Sequence, residues 1–135
     1  MEIVKIDGKV WKVRITSISE SFTILYSENS GRTMAAGSPM ALDPLGTFYN
    51  YKIKFKRIEG EEKEYDDLFD FFALPRYDGV EFNIIHNQAL WNKPFKAYVS
   101  QGERALKRVD VKTGKVYWDE FTANIVPISA QVLPV

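Results

Sequence analysis

The residues of this chain that could bind a metal ion are few. His86 is the sole histidine and cysteine is absent, so a transition metal would find no second nitrogen ligand and no sulfur ligand. Glu62, Asp66 and Asp70 follow one another at intervals of four, which would place three carboxylates along one row of a helix. Their spacing does not match a calcium-binding loop. We therefore predict no metal site, and we interpret the carboxylate row as a solvated helix face and His86 as a surface or turn residue.

Catalysis by a side-chain nucleophile would need a base and an orienting group within hydrogen-bond reach. His86 is the one candidate imidazole base, and the sequence around it does not resemble a nucleophile elbow. Ser30-Gly31 and Ala36-Gly37 lack the glycine and lysine pattern of a phosphate-binding loop. The carboxylates cluster on or beside one predicted helix, whereas a glycosidase would hold a facing pair. We predict that the chain is not an enzyme, with no catalytic residues and no cofactor.

Aromatic side chains offer a second kind of chemistry, because exposed rings bind sugars and protein partners. Trp91, Tyr98 and Tyr117 are candidates for rings that lie off the core. Aromatic residues in strands are more often part of the core. A binding module that recognises a cell-wall glycan or a partner protein through these rings is therefore an alternative function.

The carboxylates Glu62, Asp66 and Asp70 belong to a predicted helix. Residues 61–74 read EEKEYDDLFDFFAL, in which Tyr65, Leu68, Phe69 and Phe72 recur at i, i+3, i+4 and i+7 and form one apolar stripe. Pro75 ends the helix, because the residue before a proline is pushed out of the α region. On both sides of the helix apolar residues alternate with period two. The pattern predicts a mainly β fold: a β-sandwich or a strongly bent antiparallel sheet with one flanking α-helix at about residues 62–74.

The N-terminal region is predicted to form a hairpin followed by an irregular strand. Met1 to Ile6 and Lys9 to Ser17 flank Asp7-Gly8, a pair favoured in two-residue hairpin turns, and the predicted hairpin places Val4 opposite Trp11. The apolar phase then shifts from odd to even numbers at Phe22, which predicts a bulge or bend near Ser17 to Ser21.

The longest predicted strand, Thr47 to Ile58, has two contrasting faces. Its aromatic and aliphatic side chains point one way, and a lysine row, Lys52, Lys54 and Lys56, points the other. We interpret the lysine row as a solvated sheet face or protected edge, and contact with an acidic partner is the alternative.

Length and composition set further limits. A chain of 135 residues with 45% hydrophobic content predicts one domain, residues 1–135. Lys plus Arg and Asp plus Glu are both 18, and a net charge of zero argues against a nucleic-acid binder, so we predict no sequence-specific nucleic-acid partner. No apolar run reaches the length of a membrane helix, and we predict no membrane insertion. Residues 27–46 lack periodicity, and we predict that they form a long interaction loop.

Several short segments resemble a known family. They are E-N-S-G-R-T at residues 28–33, D-P-L-G-T-F-Y-N-Y at 43–51, the acidic helix, F-K-A-Y-V at 95–99 and W-D-E-F-T-A-N-I-V-P at 118–127. Together they resemble the small tail proteins of long-tailed bacteriophages and of prophages in Gram-positive bacteria, over about residues 7 to 128.

The resemblance implies a tail-tube-like fold and a non-catalytic structural subunit of the tail tube, tail tip or baseplate. Its implied partners are itself, as a ring-forming homo-oligomer that is commonly hexameric, and other phage tail proteins. Its implied location is the tail of the virion, after synthesis in the cytoplasm of the host bacterium. We expect the subunit interface to use loop residues, the lysine row and acidic residues of the helix: Arg32, Met34, Met40, Leu42, Lys52, Lys54, Lys56, Asp66 and Asp70. We expect Arg32 of one subunit to form an ion pair with Asp66 or Asp70 of its neighbour. The acidic face of the helix is also a candidate partner for the lysine row.

Overall fold

The computed structural model describes residues 2–28, 30–32 and 40–135. Within them the chain forms β1 (Val4–Ile6), β2 (Arg14–Tyr26), β3 (Gly31–Arg32), β4 (Met40–Ala41), β5 (Pro44–Lys56), α1 (Glu62–Ala73), β6 (Val80–His86), β7 (Ala89–Leu90), β8 (Phe95–Asp110) and β9 (Lys115–Pro127). The predicted fold class, mainly β with one helix, is confirmed. Of the two arrangements predicted from the sequence, the strongly bent antiparallel sheet is the one observed.

The main sheet has the strand order β1-β6-β8-β9-β5-β2, and β7 adds to the free end of β6. All neighbouring strands are antiparallel, and the sheet curls strongly into a half-barrel. β3 and β4 pair with each other as a separate short ribbon. The sheet therefore joins strands that are far apart in sequence, because β5 lies beside β9 and β1 lies beside β6.

The core lies between α1 and one face of this sheet. Tyr65, Leu68 and Phe72 of the helix are buried, and Phe69 is half-buried, as their helical spacing predicts. Their rings meet those of the strands, with Phe55 and Phe121 stacked at 4.8 Å and Tyr65 edge-on to Phe121 at 5.1 Å. Other buried side chains come from alternate positions of the strands: Val4, Ile6, Tyr51, Ile53, Val80, Phe82, Ile84, Ala97, Ala123 and Ile125. Period-two patterning and one helical stripe thus account for the core.

The predicted N-terminal hairpin is wrong beyond its turn. Asp7 and Gly8 have φ of 56° and 73°, as a type I′ turn requires, and Ile6 and Lys9 exchange backbone hydrogen bonds across it. The pairing stops there, however, because β1 pairs with β6 and Val4 lies opposite Ile84. β6 offers a fully apolar buried face as a partner. Trp11 instead packs against Phe71 of α1 at a ring distance of 5.4 Å.

The long strands change register at several points. The phase shift in β2 is present, and it lies between Ile15 and Ser17, at the start of the predicted segment. β8 runs without a break through Gln101 and Gly102. Register shifts between Val99 and Gln101 and again after Arg104 allow this long strand to follow β9 around the curl.

Candidate functional site

His86, the residue that would carry acid–base chemistry, belongs to a network of aromatic and polar side chains. It lies at the end of β6, its Nδ1 is 2.9 Å from Glu20 Oε2, and its ring stacks on Trp91 at 3.8 Å. Trp91 Nε1 donates to the hydroxyl of Tyr51 at 2.7 Å, and that hydroxyl donates to Glu20 at 2.5 Å. Tyr49 packs edge-on to both His86 and Trp91. His86 thus lies at the end of β6 beside a turn, as interpreted from the sequence, and this network holds its partly buried ring on two sides.

The network joins β2, β5 and β6 across the open side of the curled sheet. The pKa of Tyr51 is raised above its ordinary value of 10.0, mainly because the phenol is buried and also because it donates a hydrogen bond to Glu20. The phenol therefore stays protonated and donates to Glu20. One signal in the sequence could have revealed the network: Glu20 shares the phase of Phe22 and Ile24 and is the charged residue in that apolar row. We interpret the network as a structural clasp.

Within the described ranges, no group of three or more His, Asp or Glu side chains is placed to hold a metal ion. The predicted carboxylate row is instead divided among separate partners. Glu62 lies 3.4 Å from Lys115, and Asp66 lies 3.1 Å from Arg104. Asp70 is exposed and forms no ion pair with any other described residue. The Arg104 guanidinium also lies over the rings of Phe69 and Trp118, at 4.1 Å from each centroid.

The three candidate binding aromatics lie in different places. Trp91 is half-buried in the clasp and lines an open cleft of about 830 Å³, whose rim includes the fully exposed Tyr77. Tyr98 is exposed on β8. Tyr117 is half-buried beneath the guanidinium groups of Arg57 and Arg108. They do not form one platform, although the cleft beside Trp91 is large enough for a small ligand.

The lysine row lies on the sheet face opposite the core. Lys52 and Lys54 are exposed, Lys56 is half-buried, and none of the three forms an ion pair with another described residue. Lys52 and Lys54 border a shallow hollow with polar neighbours from β8 and β9, among them Glu103 and Asn124. The surroundings of Lys52 and Lys54 are therefore polar, which matches the interpretation of a solvated sheet face.

The predicted interface loop is described only in part. Met34 lies outside the described residues, as does the side chain of Arg32, whose backbone pairs with Met40 in the β3–β4 ribbon. Met40 and Leu42 are both exposed. Asp66, one of the two residues expected to receive Arg32 from a neighbour, already contacts Arg104 of its own chain.

Seven of the exposed apolar side chains among the described residues lie where β2 and β5 stay paired beyond the reach of β9. β5 pairs with β9 only from Tyr51 to Phe55, whereas it stays paired with β2 back to Pro44, which lies roughly 20 Å further along the strand. We call residues 21–28 and 40–50 the β2–β5 arm. Its exposed apolar side chains are Phe22, Ile24, Leu25, Tyr26, Met40, Leu42 and Leu45. The C-terminal segment lies along β5 here, because Thr47 exchanges backbone hydrogen bonds with Gln131 and Val132, but these apolar side chains stay exposed.

A second hairpin extends at the opposite end of the sheet. β8 and β9 stay paired as far as Asp110 and Lys115, roughly 20 Å beyond the last pair between β9 and β5, Phe121 and Phe55. We call residues 105–117 the β8–β9 tip. Its exposed apolar side chains are Leu106, Val109, Val111 and Val116. The chain thus carries two apolar projections, one at each end of its strands.

Comparison of the chain with known protein families, with characterised proteins and with solved structures gave no match. Among the described residues, no helix is long and apolar enough to cross a membrane.

Proposed function

We propose that this chain is a non-catalytic structural subunit of a bacteriophage tail, which acts through self-assembly and through contacts with other tail proteins. Its location is the tail of the virion, after synthesis in the cytoplasm of the host bacterium. The resemblance of its short segments to small tail proteins supports the phage assignment. The exposed apolar surface of the β2–β5 arm is the observation that carries the assembly role.

The physical argument rests on what a single copy leaves exposed. Fully burying a leucine, isoleucine or phenylalanine side chain is worth about 1.5–3 kcal/mol, and the arm holds several such side chains outside the core. Large exposed apolar surfaces mark sites of protein contact, and the exposed side chains of the arm lie close together on two paired strands. A net charge of zero removes the long-range repulsion that would keep copies apart. Contact with another copy would bury the arm.

A matched pair of double variants tests this role. Leu42 and Leu45 are exposed on the arm by 61% and 55%, and Leu74 and Leu133 are exposed elsewhere by 59% and 72%. We expect the wild-type protein to form rings or tubes at high concentration in negative-stain electron microscopy, and to sediment as larger species. Leu42→Ser/Leu45→Ser should remove these species, and Leu74→Ser/Leu133→Ser should retain them.

The control separates arm contacts from general loss of apolar surface, because both variants replace two exposed leucines with serines. Circular dichroism would verify that each variant is folded. Equal assembly by the wild type and the arm variant would contradict the proposed role of the arm. A wild-type protein that stays monomeric at every concentration would contradict self-assembly itself.

The cleft beside Trp91 favours one alternative, a binding module for a cell-wall glycan. Trp91, Tyr77 and Phe95 provide rings, and Asp78 and Asn92 provide polar groups at its rim. Titration of the protein with soluble peptidoglycan fragments, followed by NMR, distinguishes the two functions. A monomeric protein whose cleft residues change their chemical shifts on titration would support the glycan module. An assembled protein whose chemical shifts do not change would support the tail subunit.

A further inference from the structure

The charges on the two projections are opposite in sign. The β8–β9 tip contains four cationic residues, Lys107, Arg108, Lys112 and Lys115, against one acidic residue, Asp110. The described residues of the β2–β5 arm contain two acidic residues, Glu28 and Asp43, and the cation beside them is Arg32, whose backbone pairs with Met40, so the sum is still negative. The two projections also point in opposite directions. The tip contains the C-terminal end of β8 and the arm contains the C-terminal end of β2, and these two strands run antiparallel in the sheet.

Most of the tip's charge has no partner within the described part of the chain. Lys115 is 3.4 Å from Glu62, at the start of α1. Lys107, Arg108 and Lys112 form no ion pair with another described residue, although Arg108 lies over the ring of Tyr117. The carboxylate of Asp110 accepts hydrogen bonds from the backbone of Lys112 and Thr113 and serves the turn. The tip is thus a positively charged surface around exposed valines and a leucine.

The acidic residues of the arm lie among its apolar side chains. Asp43 accepts a hydrogen bond from Ser27 at 2.5 Å, which joins the two strands of the arm near their ends. Neither Asp43 nor the exposed Glu28 forms an ion pair with another described residue. The arm is therefore an apolar surface with negative charge near its outer end, the complement of the tip.

We propose that the β8–β9 tip of one copy binds the β2–β5 arm of the next copy, so that subunits associate head to tail. This inference rests on the proposed function and specifies the contact through which self-assembly occurs. The exposed side chains around Val109 and Val111 would pack against those around Phe22 and Leu42, and the tip's cations would lie beside Glu28 and Asp43. Opposite charges at such a contact select the correct pair of surfaces and its register.

Electrostatics disfavours the symmetric alternatives. Two tips in contact would bring together the cations of both copies, and two arms would bring together their carboxylates. A contact between unlike surfaces is heterologous, and each bound copy presents a fresh arm and a fresh tip. Such contacts close into a ring or continue as a stack, depending on the rotation between neighbours. The tip is small for a stable interface, which commonly buries about 800 Å² per partner, so we expect weak pairwise binding that strengthens on assembly.

Charge reversal of each surface tests the inference in the full-length protein. The tip variant is Lys107→Glu/Lys112→Glu and the arm variant is Glu28→Lys/Asp43→Lys, with association measured by sedimentation velocity at low ionic strength. Each variant alone presents like charges on both surfaces, and we expect its association to be about tenfold weaker than that of the wild type. An equimolar mixture pairs each reversed surface with an oppositely charged one, and we expect association to return to the wild-type level.

Reversal of two other exposed lysines, Lys93→Glu/Lys96→Glu, is the matched control, because neither lies on a projection or among the residues expected at the subunit interface. It should associate like the wild type. If the wild type associates but the tip and arm variants do so equally well, or if only the control variant is impaired, the head-to-tail contact is wrong while self-assembly stands. If the wild type does not associate at all, the proposed self-assembly fails together with the contact.

If the arm variant unfolds, because Asp43 accepts the Ser27 hydrogen bond, Glu28→Lys alone replaces it. Glu28 is exposed, so its reversal leaves the core unchanged. The mixture with the tip variant then carries the test: recovery of association supports the contact, and absence of recovery overturns it.

Discussion

Three consecutive helix residues, Leu68, Phe69 and Asp70, differ in burial and provide a sharp test of how α1 packs. Leu68 is completely buried, Phe69 is half-buried and Asp70 is exposed. The Phe69 ring lies 5.3 Å from Phe121 and is covered on one side by the guanidinium of Arg104. Replacing each of them by alanine tests one level of burial at a time. Alanine has a high helix propensity, so the helix itself is preserved.

The expected losses of unfolding free energy follow from this order. Leu68→Ala removes a fully buried side chain and leaves a cavity, so we expect a loss of about 3–4 kcal/mol. Phe69→Ala would cost about 3–5 kcal/mol if the ring were fully buried. Because the ring is only partly buried, we expect about 2 kcal/mol, which includes roughly 0.5 kcal/mol for its contact with the Arg104 guanidinium. Asp70→Ala should change stability by less than about 0.5 kcal/mol.

Urea denaturation followed by far-ultraviolet circular dichroism measures the three values under one set of conditions. The order Leu68, Phe69, Asp70 is the expected result. A larger loss for Phe69→Ala than for Leu68→Ala would refute the packing described here, and would mean that the helix is rotated about its axis. A loss below about 1 kcal/mol for Leu68→Ala would mean that the helix does not pack on this sheet.

Two further predictions concern the clasp and a turn. Because the pKa of Tyr51 is raised in the folded chain, its contribution to stability is fully present below about pH 10 and decreases as the pH rises further. The wild type should lose roughly 1 kcal/mol more unfolding free energy than Tyr51→Phe between about pH 10 and pH 11, and equal losses would contradict burial of the phenol beside Glu20. Gly79 has φ of 70°, and a Cβ there would lie 2.5 Å from the carbonyl oxygen of Ala97. Gly79→Ala should therefore lower the melting temperature clearly more than Gly114→Ala, which has a similar φ of 75° but open space around it. Equal shifts would mean that β6 and β8 do not approach as closely as described.

Features set by local spacing could be predicted from the sequence. The stripe of Tyr65, Leu68 and Phe72 determines both the helix and its buried face, and the alternation from Tyr49 to Phe55 determines the central strand. A helix or strand period depends only on neighbouring residues, so the sequence contains it directly.

Features that depend on distant partners could not be predicted in the same way. Asp7-Gly8 determines a turn, but which strand β1 then joins depends on β6, more than 70 residues away. The clasp likewise unites Glu20 with His86 through the curl of the sheet. Met40 and Leu42, which the sequence singles out, are exposed on the arm, but their role at an interface stays a prediction. The sequence does not single out the β8–β9 tip, because its valines and leucine alternate like those of a buried hairpin.

The central claim, that the chain is a structural subunit of a phage tail, is tested most directly by quantitative mass spectrometry of purified phage particles. The particles would come from the infection or prophage induction that expresses this chain, and a known capsid protein would serve as the internal standard. We predict that the chain is present in several copies per particle and that it stays with the tail fraction when heads and tails are separated. Absence of the chain from purified particles, while it is abundant in the lysate, would contradict the account.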